Sequence, residues 1–284
     1  MQKETSRPLI SVIIPTHNRG WILADALNSV RSQNFEDFEL IVVDDGSSDD
    51  TPAVIEAYSG ALQLITQPKK GVSAARNRGV AAAKGTWLAF LDSDDKWLPK
   101  KLAVQAAFFK SHPEALICQT EEIWVRNGVR VNPKHKHRKP SGMIFVPSLA
   151  LCLVSPSAVM LKRSLFEAMG GFDESLPACE DYDLWLRLSC RHPIHLIDAP
   201  LTVKRGGHAD QLSKMASLDK FRIRAIEKII KSQNLNDAQY QAAVKTLKGK
   251  CAIYAAGCEK RGRTDEANRY RALSKQYHAS IQKR

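Results

Sequence analysis

Nowhere in the 284 residues does an apolar run approach the ~20 needed to cross a bilayer; the longest, at 9–15, 40–43 and 149–154, fall far short. The six cysteines (Cys118, Cys152, Cys179, Cys190, Cys251, Cys258) include no CxxC pair. A disulfide framework is therefore not expected, and the thiols read as reduced, buried small hydrophobes. Cys251 and Cys258, seven apart, would share one face of a helix. No GxGxxG follows the first apolar run and no GxxxxGK[ST] occurs anywhere, which disfavours a dinucleotide site and a P-loop. The first residues, MQKETSRP, lack the apolar centre of a secretory signal, so a cytoplasmic address is the expectation. Acidic residues are scarce at one end only: residues 216–284 hold 16 Lys and Arg against 6 Asp and Glu, whereas 1–215 hold 26 against 24. Such a tail could meet nucleic acid, anionic lipid or an acidic protein, or form a solvated helical surface. Its tyrosines (Tyr240, Tyr254, Tyr270, Tyr277) are spaced as helix packing positions and not as base-stacking platforms, which disfavours nucleic acid. With 44% hydrophobic and 25% charged residues, collagen, coiled coil and wholesale disorder are excluded.

What is present alternates between two periods. Residues 9–14 (LISVII) are a β-branched run closed by Pro15 and read as a buried strand. Leu23, Ala26, Leu27 and Val30 recur at helical spacing. Residues 38–43 (FELIVV) are a second strand, and 49–58 a helix capped by Ser48 or Asp49 with Pro52 at its start. A third strand is expected at 62–66, an Ala-rich helix at 72–84 stopped by Gly85, and a fourth strand at 86–91. This alternation predicts an α/β fold with a mostly parallel central sheet flanked by helices. Farther on, the pattern predicts a helix from about Leu98 to Lys110 and a strand at 115–120. A hairpin at 123–131 turns on Asn127-Gly128, and a basic loop at 134–139 (KHKHRK) is expected to be exposed and mobile. A strand at 158–161, helices at 164–169 and 180–190, and two short strands at 194–197 and 201–203 follow. Periodicity from Leu218 onward predicts three helices.

In open α/β sheets, ligands sit beyond the carboxyl ends of the strands. Three polar clusters fall there: Pro15-Thr16-His17-Asn18, Asp44-Asp45-Gly46-Ser47 and Asp92-Ser93-Asp94-Asp95. Carboxylates gathered at strand ends repel one another unless they hold a cation. Oxygen ligands of this kind suit a hard divalent ion, Mg²⁺ or Mn²⁺.

Five segments carry a resemblance: SVIIPTHNR, IVVDDGSSDDT, GVSAARNRG, FLDSDD and GGFDESL with the later CEDYDLWLRL. In this order and spacing the chain resembles family 2 glycosyltransferases over about residues 8–210. The resemblance implies a GT-A fold and inverting transfer of a sugar from a nucleotide-diphosphate donor, UDP by family weight, to an acceptor hydroxyl. It implies that Asp45 accepts a hydrogen bond from the base and that Pro15, Thr16, His17 and Asn18 belong to the nucleoside pocket, Asn18 ordering its loop. Asp44 stays open between ligand contact and turn structure. Arg76 and Asn77 resemble the donor-contacting segment, with Arg78 a solvated neighbour. In the DxD element Asp94 would ligate the metal, Asp92 the metal or the ribose, and the small Ser93 would let the backbone approach a diphosphate. Asp95 would share that work or cap the next helix. Asp181 matches the family's general base and Glu180 would assist with the acceptor, while Asp183 reads as solvated. In RGGHADQLS, Arg205 and Gln211 belong to a closing loop hinged at Gly206-Gly207, and His208 would approach the diphosphate or metal.

The resulting division is a catalytic domain at 1–215, with a nucleotide half at 8–110 and an acceptor half at 111–215, followed by a basic helical region at 216–284. The expected acceptor is a saccharide, lipid-linked glycan or protein, in polysaccharide or glycolipid assembly. The tail would dock on the domain, pair two subunits, or touch the inner membrane face. Two alternatives stand beside this. One is a catalytically silent nucleotide-sugar binder or scaffold working through its tail. The other, a nucleotidyltransferase, would carry a Gly-rich, Lys-containing loop after the first strand, where PTHNRG is neither.

Overall fold

The computed structural model describes residues 7–281 except 209 and 216. Its elements in chain order are β1 (Ile10–Thr16), α1 (Leu23–Arg31), β2 (Phe38–Asp44), α2 (Thr51–Glu56), β3 (Gln63–Thr66), α3 (Val72–Ala82), β4 (Trp87–Phe90), β5 (Lys96–Trp97) and α4 (Lys101–Ser111). There follow β6 (Ile117–Arg126), β7 (Val129–Val131), α5 (Phe145–Ala150), β8 (Val159–Lys162), α6 (Arg163–Ala168), α7 (Glu180–Ser189) and β9 (His195–Gly206). The chain closes with α8 (Leu218–Lys231), α9 (Asp237–Glu259) and α10 (Thr264–Ile281). One sheet runs β3-β2-β1-β4-β8-β6-β9-β5, with β7 added on β6. The first four strands are parallel, as the βαβ alternation requires. From β4 onward the sheet is mixed: β8 is antiparallel to β4 and β6, whereas β6 and β9 are parallel.

LISVII is apolar at every position but Ser11, on alternating sides of the strand, because both sheet faces are covered. Val12 and Ile14 pack with Leu23, Leu27 and Leu102 on the α1/α4 side. Ile13 packs with Ala75, Val80 and Trp185 on the α3/α7 side. Gly79 lets α3 lie this close: a Cβ there would come within 2.5 Å of the Ile13 side chain. Pro15 does not end β1, which continues beside β2 to Thr16, because the partner β4 has already stopped at the level of Ile13. The helix expected at 49–58 is shorter, and Asp49 accepts from Thr51 N and Gly20 N without capping α2. The two short strands expected between 194 and 203 are one strand, β9, which stays on β6 through register shifts around Glu121.

The three predicted C-terminal helices are present, but they are not a separate layer of charge. Ile226, Ile229, Val244, Leu247 and Tyr270 share one core with Phe145 and Leu149 of α5 and Tyr182 and Leu186 of α7. Cys251 and Cys258 are both buried in it, and all six cysteines are free. Among the described residues no helix is long and apolar enough to cross a membrane.

Three charged side chains are interior, two of which, Lys139 and Asp183, local sequence marks as solvated. Lys139 pairs with Glu122 at 3.1 Å, and Asp183 with Arg187 at 2.8 Å and Lys228 at 3.1 Å. Lys101, fully buried, lies 4.1 Å above the Trp97 ring and, among the described residues, donates only to Gln105 Oε1, at 2.6 Å. Burial pushes its ammonium down to about 7. Between that value and its ordinary one near 10.5 the unfolded chain binds the extra proton, so the burial penalty is full at and below neutrality and fades as pH rises. Lys101→Met should therefore raise stability by about 1–2 kcal/mol at neutral pH, and by less in alkali. Urea unfolding of both proteins at about pH 6.5 and about pH 9.5 measures this; a destabilised variant at the lower pH would contradict it.

Candidate active site

The polar clusters meet where β1, β2 and β4 end. Asp45 N donates to Thr16 O, and Asn18, at φ 52°, ties the two loops by accepting from Ser48 N and donating its own N–H to Ser47 Oγ. Asp44 is turn structure: its Oδ1 accepts from Ser47 N and Oγ. Asp45, buried, accepts from Gln67 Nε2 and Lys70 N through Oδ1 and from Gly71 N through Oδ2. A carboxylate has about four acceptor positions, so one on Oδ2 is left. Thr16 Oγ1, His17 Nδ1 and Ser73 Oγ, beside these loops, are buried and have no hydrogen-bond partner among the described residues. Unpaired buried polar atoms cost stability unless a ligand or water satisfies them.

The acids after β4 are held individually. Asp95, buried, accepts from Ser157 Oγ at 2.6 Å and Arg205 N at 2.8 Å, so it joins the segment after β4 to the turn before β8 and to β9, and caps no helix. Asp94 Oδ2 lies 2.8 Å from His208 Nε2, and His208 Nδ1 lies 2.7 Å from Asp210, which is also paired with Arg19. Asp92 Oδ1 accepts from Arg76 Nη2 at 2.6 Å, and the other arm, Nη1, donates to Glu180 Oε1 at 2.6 Å. Arg76 and Glu180 are buried, and the guanidinium lies over the Phe172 ring. Both tips of Arg76 are thus engaged within the protein, and Glu180 faces Arg76 rather than open space. Asn77 lies outside this cluster: its amide grips Phe172 N, Phe172 O and Glu174. Arg205 reaches Asp25 and the Asp94 carbonyl, and its buried Nη2 has no partner among the described residues. Ser93 is buried in the turn between its two acids.

Glu180 opens α7, which sets Asp181 one residue beyond the Arg76 bridge. Asp181 Oδ1 accepts from Tyr182 N at 2.7 Å, and its Oδ2 lies 3.5 Å from the Cys152 thiol. Cys179, at φ 62°, turns the chain into this helix. The apolar stripe of Leu184, Trp185 and Leu188 fixes α7 against the sheet. Lys204 of β9 donates to Ser155 Oγ at 3.3 Å. Burial alone would lower its ammonium, but Glu122, Asp95, Asp92 and Asp181 together raise it. Glu122 is held down at about 2: burial would raise it, and Lys139, Lys204 and the Trp124 indole outweigh that. Lys204, Cys152 and Ser157 carry no motif of their own; only the fold brings them here.

Negative charge is in excess. Burial first, then Asp92, raises the Asp94 carboxyl against Arg19 and His208. Burial, then Asp94 and Asp92, raises Asp95 well above its usual range. Burial, then Asp181, raises Glu180 despite Arg76. Among the described residues no group of three or more His, Cys, Asp or Glu is already gathered for a metal. Asp94 and His208 with Asp92 nearby nonetheless form a donor set that fits Mg²⁺ or Mn²⁺, which take one or two carboxylates and fill the remaining positions with water and phosphate oxygens.

The profile described as Glycosyl transferase family 2 matches residues 11–170. The chain is 31% identical over 182 residues to the UDP-Glc:alpha-D-GlcNAc-diphosphoundecaprenol beta-1,3-glucosyltransferase WfgD of Escherichia coli, covering 63% of this chain and 69% of that one. It also resembles glycosyltransferases of Rickettsia felis and Rickettsia prowazekii, each at 28% identity, and spans 36% and 69% of their lengths. The fold matches Staphylococcus aureus TarS 1–349 in complex with UDP-GlcNAc at TM-score 0.72 and 22% identity, covering 91% of this chain and 79% of that one. It also matches the Pyrobaculum calidifontis mannosyltransferase PcManGT in complex with GDP-Man and Mn²⁺ at TM-score 0.58 and 19% identity, covering 98% and 86%. A GT-A-type sheet and a profile match over more than half of the chain agree: this chain belongs to glycosyl transferase family 2.

Proposed function

We propose that the chain is an inverting, metal-assisted glycosyltransferase that moves a sugar from a nucleotide-diphosphate donor, preferentially a UDP-sugar, to an acceptor hydroxyl in polysaccharide or lipid-linked glycan assembly. The observation that carries this reading is the Arg76 bridge. One guanidinium holds Asp92 of the DxD turn and Glu180 of the α7 start at 2.6 Å each, so the donor-side acids are tied to the residue next to Asp181 although Asp92 and Asp181 are 89 positions apart in sequence. The unpartnered Thr16 Oγ1, His17 Nδ1 and Ser73 Oγ support a nucleoside in the loops beyond β1 and β2. The free acceptor position of Asp45 suits an imide N–H, a charge-assisted bond that discriminates bases. WfgD, whose name gives UDP-Glc as donor, and TarS, seen with UDP-GlcNAc, support uracil over guanine.

Asp94, Asp92 and His208 would hold a divalent cation, Mn²⁺ or Mg²⁺, which supplies neutralising charge to a departing diphosphate. Asp181 accepts the proton of the acceptor hydroxyl as that oxygen attacks the anomeric carbon from the face opposite the diphosphate. Arg76 and Glu180 are positioning residues: they fix Asp92 and the first turn of α7. Lys204 keeps a positive charge between the two acidic sides of the cleft.

A thermal-shift panel of UDP, GDP and UDP-sugars with and without Mn²⁺ tests the reading. At a concentration about 100 times its Kd a true ligand adds about 2.7 kcal/mol, several degrees of melting temperature. UDP with Mn²⁺ is expected to give that shift and UDP alone less. No shift from any nucleotide diphosphate with metal would defeat the proposal, and binding without metal-dependent donor hydrolysis or transfer would favour a silent binder.

A further inference from the structure

The β6–β7 hairpin and the turn after it carry a block of positive charge that the rest of the described chain does not neutralise. No acidic residue occurs between Glu122 and Glu167. In that stretch Arg126, Arg130, Lys134, Lys136 and Arg138 are exposed, and none is in an ion pair among the described residues. Lys139, the last of the run, differs: it is buried on Glu122 and Thr120 O and anchors the segment. Five unpaired cations on one short arm repel one another, a cost that an anionic partner would remove.

The arm is attached to the candidate active site. Asn127 N donates to Gly206 O at 3.0 Å. Gly207 has φ +107°, and a Cβ there would collide with the Asn127 side chain. The hairpin turn therefore abuts the start of the loop whose His208 meets Asp94 at 2.8 Å. The basic turn folds back on the same hairpin, its His137 ring 5.0 Å from Trp124 at 60°.

We infer that this arm binds an anionic acceptor chain, a saccharide bearing phosphate or carboxylate groups, and leads it into the cleft. The inference rests on the glycosyltransferase reading for the word acceptor. Cations repeated along an extended hairpin match a ligand whose charges repeat along a chain. A nucleic acid would look for exposed aromatic faces, and Trp124 is half-buried, with its N–H on Glu122 and a ring contact to His137. A bilayer would look for an apolar face, and on the hairpin only Val129 is a largely exposed hydrophobic residue.

The test is equilibrium binding of the whole chain to labelled oligogalacturonate, oligo(glycerol phosphate) and neutral dextran. At low ionic strength at least one of the two anionic probes is expected to bind about tenfold or more tightly than dextran, and added salt to weaken it. Which anionic probe binds distinguishes carboxylate from phosphate. The variant R126Q/R130Q/K134Q/K136Q/R138Q should lose about tenfold or more. A control on exposed tail residues, K245Q/K260Q/R261Q/R269Q/K275Q, should stay within about twofold. Equal binding of dextran, retained affinity in the arm variant, or an equal loss in the tail control would overturn the inference. So would tighter arm-dependent binding of a single-stranded DNA oligonucleotide or of phosphatidylglycerol vesicles than of either glycan. UDP and Mn²⁺ stabilisation, measured on the same proteins, should be the same in the arm variant. Its absence in the parent chain would count against the transferase reading and leave the glycan result standing on its own.

Discussion

Asp181→Asn is expected to lower sugar transfer by about 10²–10⁴-fold, the usual contribution of a positioned general base, while UDP and Mn²⁺ still stabilise the protein as before. The substitution keeps shape and most contacts. An Asn Oδ1 can go on accepting from Tyr182 N, and the Cys152 thiol retains the Val154 carbonyl at 3.3 Å. What disappears is the capacity to take up a proton. Asp94→Ala should behave differently, because it removes the oxygen beside His208 that the proposed cation needs. Transfer and metal-dependent donor stabilisation should then fall together. Single-turnover assays with melting curves on both variants separate the two roles. Near-normal turnover in Asp181→Asn would remove Asp181 as the base even if donor binding is fully retained.

The strand–helix alternation of the first hundred residues is legible because each element announces itself locally. LISVII and FELIVV are apolar on both faces, α1 has its buried stripe at Leu23, Ala26, Leu27 and Val30, and Asn127-Gly128 sets the hairpin. The acidic clusters are equally legible as strand-end features, since a parallel sheet delivers successive strand ends to one edge. Pairing is what local sequence does not encode. Lys139 looks solvated inside KHKHRK, yet Glu122 draws it in; Asp183 looks like one more helix-start acid, yet Lys228 from α8 closes over it. Asp198-Ala199-Pro200 reads as a break between two strands, but β9 passes through it with a register shift. In the candidate site the same limit applies to roles. Arg76 and Glu180 read as ligand-facing residues from their motifs, and the fold turns each toward the other. Asn77, next in sequence to Arg76, points its amide into the 172–174 turn because successive helix positions are about 100° apart.

Arg76→Met should destabilise the protein by about 3–5 kcal/mol, because removing one partner leaves buried charge uncompensated. The cost should come mostly from Glu180, whose side chain is 6% exposed, since Asp92 at 29% can regain water. Three consequences distinguish this from a simple packing loss. Arg76→Lys should rescue little, because a single ammonium cannot reproduce a fork that donates to two carboxylates from separate nitrogens. In a Glu180→Gln background Arg76→Met should cost markedly less, a coupling that a double-mutant cycle reads directly. The third consequence is a pH dependence. Burial and Asp181 already raise the Glu180 carboxyl, and Arg76 opposes them; without Arg76 it rises further. A carboxyl whose folded pKa lies above its unfolded one loses stability as pH climbs between the two values, so the variant should be relatively more stable at about pH 5 than at about pH 8. Urea titrations of the parent, Arg76→Met and Arg76→Met/Glu180→Gln at both pH values supply every number required. A deficit that is independent of pH and undiminished by Glu180→Gln would mean that the bridge merely fills space, and the link between the DxD turn and the Asp181 helix would have to be sought elsewhere.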